Sequence, residues 1–303
     1  MVGHAVMAEA HNRGWEPVGW SRTIRSVPNG IECRIADLTI EGTVARAIRE
    51  SAPDVIVNAA AQTNHQASPE ELNRVNALLP ERIARVAYRH GIRFVHISTE
   101  GVYDGVNPGK RKESEQTRPV TAYGRSKLEG EGRVLASCPE ALIARVSVFG
   151  WTIPGETPKL AEKILAKLTR RRELKLPTEV VFSPLHAGDL ADTLLDLVAI
   201  PEAIGVMNVG ARDGISLPNF ARLIADTFGL NSGLVRDATL EECEGFSVPW
   251  PKNVALDVSQ AERLIGRKRL SSRMPTVEDG VNRLYRESWD GTAVRIRGRE
   301  EYP

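Results

Sequence analysis

Cysteine is scarce in this sequence. Cys33, Cys138 and Cys243 are the only three, and they lie far apart. Their spacing offers neither a zinc-binding pattern nor a disulfide framework, which excludes a stapled secreted scaffold and fits a reducing cytoplasm. An excess of charge of one sign is also missing. Lys plus Arg number 40 and Asp plus Glu 39, a formal net charge of +1. No global field therefore draws nucleic acid or an anionic membrane. No apolar run is long enough to span a bilayer, and the N-terminus does not read as a signal peptide. Internal repeats and low-complexity tracts are absent. What remains is an ordinary globular profile, 42% hydrophobic and 26% charged over 303 residues. That length supports one large core, or a large domain with a smaller one.

Hydrophobic patterning switches repeatedly between helix and strand periods through residue 150. Val2 to Asn12 reads as a helix ended by Gly14. Glu16 to Trp20 and Ile31 to Ile35 read as short strands, and Glu41 to Glu50 as a helix. Asp54 to Asn58 is a continuous apolar run, which predicts a strand buried on both faces. Pro69 to His90 reads as one long helix ended by Gly91, Arg93 to Ile97 as the next strand, and Ala141 to Val146 as another. This alternation predicts an α/β fold with a doubly wound parallel sheet, whose ligands sit at the carboxyl ends of the strands. The expected division is a Rossmann-like parallel-sheet domain over 1–150, a less regular portion over 151–287 and a charged tail over 288–303, with some later segments returning to the first domain. The later portion reads as helices near 159–170, 185–199, 217–228, 259–265 and 276–287, with a strand at 205–209.

Chemistry concentrates around Tyr123 and Lys127. They are four residues apart, so a helix puts them on one face, one turn from each other. Pro119 and Thr121 mark its start, Thr121 as N-cap. An ammonium beside a phenol favours the phenolate and predicts a depressed tyrosine pKa. Alone, this spacing reads first as an ordinary amphipathic helix with a half-buried Tyr and a solvated Lys. It gains weight because Asn58-Ala59-Ala60-Ala61 and Ser98-Thr99 end neighbouring strands. Small residues there admit a flat ligand, and a hydroxyl, a phenol and an ammonium converge on one edge. No redox group comes from the protein, so a redox reaction needs a bound cofactor.

Taken together, Asp37-Leu38, Asn58-Ala59-Ala60-Ala61, Asn76, Ile97-Ser98-Thr99, Tyr123-Gly124-Arg125-Ser126-Lys127 and Arg145 to Gly150 resemble an extended short-chain dehydrogenase/reductase. More narrowly, Val95 to Gly105, Ser183 to Ala191 and Pro251 to Asp257 are similar to the dTDP-4-dehydrorhamnose reductase branch. The resemblance implies NADP binding for the domain over 1–150 and mainly substrate binding for the portion over 151–287. It also implies that Tyr123 gives a proton to the carbonyl being reduced and that Thr99 hydrogen-bonds the same carbonyl. Lys127 would bind the cofactor ribose and tune Tyr123. The nicotinamide would lie between the Ala59–Ala61 turn and Val146-Ser147, near Ser98, with Asp37 and Leu38 flanking the adenine and Asn76 supporting the site. The implied substrate is a nucleotide-linked 4-keto-6-deoxysugar. It would be contacted from Glu100, Val102, Tyr103 and Trp151, with Lys252 and Asn253 near its nucleotide. Glu100 and Gly101 depart from the branch, which usually has Asp and Tyr there, and this leaves the sugar open.

Cofactor choice has its own argument. An acid at the end of the second strand of this fold holds a ribose 2′-hydroxyl, whereas arginine suits a 2′-phosphate. Here the strand ends in Ser21-Arg22, with Arg25 nearby. The expectation is NADPH, with NADH the alternative. Gly3 matches the last glycine of the family's phosphate-binding turn, but the strand and glycines before it do not appear in this sequence. A natural chain longer than this one is the expected reason. The competing reading is a real truncation that weakens cofactor binding. Other functions stay open: a partner-binding module similar to the regulatory β-subunit of methionine adenosyltransferase, or a nucleotide-sugar epimerase or dehydratase. A homodimer is compatible with either enzyme reading. Among the remaining residues, His65 reads as a polar loop residue, His96 as a core histidine and His186 as a helix cap.

Overall fold

The structure, a computed structural model, describes residues 1–23, 27, 30–64, 66–153, 156–243, 250–267 and 274–289. The chain runs through α1 (Val2–Asn12), β1 (Val18–Ser21), β2 (Glu32–Ile35), α2 (Thr43–Ser51) and β3 (Val55–Asn58). Then come α3 (Pro69–Asn73), a π-turn (Arg74–Leu78), α4 (Leu79–Arg89), β4 (Arg93–Thr99), a 3-10 turn (Glu100–Val102) and α5 (Ala122–Ser137). They are followed by β5 (Leu142–Val146), β6 (Val148–Phe149), α6 (Leu160–Thr169), β7 (Leu174–Pro177), β8 (Val181–Phe182), β9 (Leu185–His186) and α7 (Ala187–Val198). The last elements are β10 (Gly205–Val209), β11 (Ile215–Ser216), α8 (Leu217–Thr227), β12 (Val235–Ala238), α9 (Ser259–Arg267) and α10 (Val277–Trp289).

Four parallel strands in the order β10-β5-β4-β3 form the main sheet. The side chains of β4 and β5 alternate between two cores, as the period of a strand requires. Phe94 and Ile143 pack on one face with Leu79, Ile83 and Ala87 of α4. Val95, Ile97, Leu142 and Ala144 pack on the other with Leu190 and Leu194 of α7. α1 lies along α7 on that second face, and Arg13 ties them through ion pairs to Asp192 at 2.9 Å and Asp196 at 2.7 Å. The fold is thus the expected α/β sheet with helices on both faces. β10 brings the chain back to this sheet from beyond residue 150. The remaining short pairs, β7 with β12, β8 with β11 and β6 with β9, lie at its carboxyl side of the sequence and carry the later segments.

Three expectations need correction. β3 is not buried on both faces: Val55, Ile56 and Val57 are only half-buried. The reason is that β3 pairs with β4 alone, while β1 and β2 form a separate parallel pair. The long helix after Pro69 is interrupted by a π-turn. Pro80 brings no N–H for the carbonyl of Asn76, and the Leu79 N–H bonds the Arg74 carbonyl instead. The segment from Leu185 begins as β9, with α7 starting only at Ala187, where His186 Nδ1 accepts the Gly188 N–H at 3.2 Å. His186 is thus the cap that was expected. The last helix takes in Ser288 and Trp289, and residues 290–303 of the expected tail lie outside the described residues.

The displaced Asn76 carbonyl points at α5, where Gly130 leaves room for it; a Cβ at that position would collide with this oxygen. Gly130→Ala is expected to destabilise the fold by about 1–3 kcal/mol, the usual cost of overpacking. Urea denaturation of the two proteins checks this, and an unchanged midpoint would contradict the contact.

Candidate active site

The sequence after β4 turns sharply, and α5 starts against that turn. Thr121 caps α5 by accepting the Gly124 N–H on Oγ1 at 2.9 Å. Gly124 has no Cβ because one would meet the Gly101 carbonyl. The close approach sets Tyr123, on the first turn of α5, beside Thr99, the last residue of β4. The Thr99 hydroxyl lies close enough to the Tyr123 phenol to favour its ionised form. Thr99 also accepts the Gly101 N–H at 3.1 Å and donates to Glu100 Oε2 at 3.3 Å. Burial pushes the Glu100 carboxyl up to about 7, opposed by hydrogen bonds at its own backbone, Ser147 and Thr99. Burial and the nearby Glu100 charge push the Tyr123 phenol above its ordinary value, with Thr99 opposing. The sequence reading, in which Lys127 depresses Tyr123, is therefore corrected: desolvation outweighs any cationic help in this arrangement.

One turn along α5, Lys127 is 1% exposed. Its Nζ donates to the Ile97 carbonyl at 2.6 Å and lies 3.2 Å from His96 Nε2. Burial lowers Lys127 to about 8, opposed by the charge of Glu131. His96 is the fully buried core histidine that was expected. Its Nδ1 lies 3.1 Å from the Asn58 amide nitrogen, and Asn58 Oδ1 accepts the Ala60 N–H at 3.2 Å. Asn58 thereby shapes the Ala59–Ala61 turn from below. Asn76 holds the loop beyond that turn through both Gln62 backbone groups, at 2.8 and 2.9 Å, and bonds Ser126 of α5 at 2.9 Å. Gly3, in the first turn of α1, faces Ala59, with 3.6 Å between the Ala59 Cβ and the site of an added Cβ. On the separate β1–β2 pair, Arg22 is exposed after β1, and its charge helps lower Asp37 after the larger effect of the Thr39 hydrogen bonds. Ser21 is half-buried beside it, and Leu38 packs partly into the α4 core. Arg25 and His65 lie outside the described residues.

Several residues read as ligand contacts serve instead as the wall behind the site. Val102 is fully buried and Tyr103 is 1% exposed. The Tyr103 phenol accepts from Arg145 at 2.7 Å and donates to the Lys112 carbonyl at 3.0 Å, and the Arg145 guanidinium sits 5.1 Å from its ring centroid. Trp151 donates its indole N–H to the Leu284 carbonyl at 3.1 Å and packs edge-on against Phe228. That places it in packing rather than sugar stacking. Ser98 is buried and donates to Glu131, and Glu131 pairs with Arg145 at 2.7 Å. Val146 and Ser147 are buried at the end of β5. Lys252 and Asn253 do reach the loop after β4: their N–H groups bond the carbonyls of Asp104 and Gly105 at 3.2 and 3.1 Å. The sequence reading missed Glu131. Its signal was there, since positions 123, 127 and 131 share one helix face, and a carboxylate on a buried face requires a partner.

The RmlD substrate binding domain model matches residues 1–285. The chain belongs to the RmlD substrate binding domain family. Within reach of this RmlD-family chain, the dTDP-4-dehydrorhamnose reductase of Salmonella typhimurium is 31% identical, over 91% of this chain and 96% of that relative. The protein named methionine adenosyltransferase 2 subunit beta of Xenopus laevis is 28% identical, over 88% of this chain and 81% of the relative. A solved structure of the Bacillus anthracis dTDP-4-dehydrorhamnose reductase in complex with NADP superposes with a TM-score of 0.75. It is 22% identical and covers 90% of this chain and 99% of that one. The last likeness speaks for the Rossmann-type fold, with its parallel sheet.

Glu100 makes stability depend on pH in a stated direction. Its folded-state pKa is raised from 4.5 to about 7, so between those values the folded state holds a proton that the unfolded state has lost. Stability therefore falls as pH rises through that window. Glu100→Gln is expected to flatten this slope. Urea midpoints of both proteins between the two pH limits check it; parallel slopes would remove Glu100 as the cause.

Proposed function

We propose that this chain reduces the 4-keto group of a nucleotide-linked 6-deoxysugar, taking the hydride from NADPH and the proton from Tyr123. The observation that carries this reading is the Tyr123 phenol set beside the Thr99 hydroxyl at the carboxyl end of β4. The neighbouring parallel strand β3 brings the small-residue turn Ala59–Ala61 to the same edge. That edge is where ligands of such sheets bind. Membership of the RmlD family supports the assignment, as does the reductase name of the Salmonella relative.

The residues present suit a nicotinamide dinucleotide. Ala59–Ala61 and Gly3 leave backbone open to close approach, and Ser21-Arg22 offers a hydroxyl and a cation without an acid at the end of β1, which favours a 2′-phosphate. When bound, NADPH supplies a hydride. Thr99 holds the substrate carbonyl oxygen and Tyr123 donates a proton to it, so the ketone becomes an alcohol with one hydride and one proton added. Tyr123 is suited to the reducing direction, because a phenol pushed above its ordinary value keeps its proton until the oxygen develops charge. Oxidation first, as in an epimerase or dehydratase, needs the phenolate instead. The backbone bonds of Lys252 and Asn253 to the loop after β4 support their assignment to the nucleotide half of the substrate. A cytoplasmic location and a homodimer go with this reading. Unpaired Cys33, Cys138 and Cys243 support the location, and among the described residues no helix is long and apolar enough to cross a membrane.

Tyr123→Phe is expected to lower NADPH consumption with a keto-sugar nucleotide by about 10²–10⁴-fold, the usual worth of a positioned general acid. NADPH binding, read by calorimetry, should stay unchanged. Full activity in the variant would sink the proposal. NAD retained through purification would move the assignment to an epimerase or dehydratase. NADPH binding without turnover in the parent would favour the partner-binding role suggested by the name of the Xenopus relative.

A further inference from the structure

Counting hydrogens along the buried row Asn58, His96, Lys127 leads to a constraint. Asn58 is 5% exposed, His96 0% and Lys127 1%, so water does not intervene as it would at a surface. The orientation of the Asn58 amide is set by its other end, where Oδ1 accepts the Ala60 N–H at 3.2 Å. Its NH₂ group therefore faces His96 Nδ1 at 3.1 Å, and Nδ1 is the acceptor. A neutral imidazole carries one proton, so that proton sits on Nε2. Nε2–H in turn faces Lys127 Nζ at 3.2 Å. Two donors cannot share that contact. The row is satisfied only when Lys127 is the amine, accepting from His96 while it donates to the Ile97 carbonyl.

The geometry points to His96 and Asn58 as positioning residues that weaken the hold of Lys127 on its proton. A charged Lys127 would need a bare Nε2, which moves the histidine proton to Nδ1, against the Asn58 amide. Relief by turning that amide would set its NH₂ against the Ala60 N–H, inside the Ala59–Ala61 turn. The protonation of Lys127 is thus coupled to that turn through two side chains. Other groups facing α5 do not cancel the effect. Glu131, which favours the ammonium, is engaged by Arg145 of β5 and by Ser98. Asn73 and Asn76 come from α3 and the π-turn, and Glu81 of α4 is held by Arg133. Glu100, on the 3-10 turn, acts on Tyr123. Burial already moves Lys127 downward, and the facing N–H pushes the same way. A Lys127 ammonium that holds its proton weakly is a stronger acid. After Tyr123 has protonated the new alcohol oxygen, that acid returns a proton to the phenolate, becomes the amine, and regains a proton from solvent.

Asn58→Asp reverses the row with almost no change of shape. A carboxylate still accepts the Ala60 N–H, but it can only accept from His96. The imidazole proton then moves to Nδ1 and Nε2 is free to accept from a Lys127 ammonium. The test is ¹⁵N NMR of the imidazole nitrogens, in the parent and in Asn58→Asp, followed by the pH dependence of turnover. The parent should show His96 with the proton on Nε2, and the variant with the proton on Nδ1. The basic limb of the rate profile should move up by about one pH unit or more in the variant, a tenfold gain in proton affinity. A parent with the proton on Nδ1, or a tautomer unmoved by Asn58→Asp, would overturn the inference, and the parent spectrum needs no variant to fold. Only the kinetic arm rests on the reductase reading. The expected tautomers with no reductase turnover would defeat that reading and leave the proton order standing. Turnover with an unmoved basic limb would defeat the link from Lys127 to the chemistry.

Discussion

The Glu131–Arg145 ion pair is the interaction on which the rest of the site depends. Both side chains are nearly inaccessible, at 3% and 4% exposure, and their contact of 2.7 Å is bidentate in character, with further bonds at 3.1 and 3.2 Å. Removing either partner alone would strand a buried charge, a loss on the order of 3–5 kcal/mol. The pair joins three elements: α5 through Glu131, β5 through Arg145 and β4 through Ser98. Arg145 then reaches Tyr103, whose phenol meets the Lys112 carbonyl. The loop after β4 is thereby fixed from underneath, which leaves Thr99 and Glu100 at its rim with a defined direction.

Around that pair the two titrating groups are driven towards neutrality from opposite sides. Burial raises the Glu100 carboxyl to about 7 and lowers the Lys127 amine to about 8. Desolvation does both, because it penalises whichever form is charged. Tyr123, one turn before Lys127 on α5, is pushed upward by burial and by Glu100. Perturbed groups of this sort gather where protons are moved. The chemistry thus arises from a shared dry setting more than from one residue acting on another, which is why reading Tyr123 and Lys127 as an isolated pair gave the wrong sign for the phenol.

What could be read from the chain follows the range of the interactions involved. The strands β4 and β5 announce themselves by apolar runs, and Thr121 and Gly124 mark the start of α5 by local rules of capping and close approach. His96 and His186 fell into their bland roles for similarly local reasons. The π-turn before Pro80 was missed although its cause, a missing N–H, is written at that position. Long-range partners were harder. Tyr103 and Ser98 look like site residues beside Thr99, and only the position of Arg145 on β5 and Glu131 on α5 turns them inward. β3 showed the same limit: its apolar run fits a central strand, and its half-burial depends on which neighbour it pairs with.

Gly105 has a positive φ of 71°, and its Cα lies against the backbone of Asn253, where any Cβ would collide. The joint between the loop after β4 and the segment from the far end of the chain is therefore made of main chain on main chain, with backbone bonds at both Asp104 and Gly105. The Asn253 side chain turns inward along its own segment, where Oδ1 accepts the Ala255 N–H at 3.2 Å. Such a joint behaves as a socket with interchangeable fittings. Its shape persists whichever side chain stands at the exposed position 252. Single substitutions at this spot can change the chemistry of the surface beside the loop after β4 while the main-chain frame stays untouched.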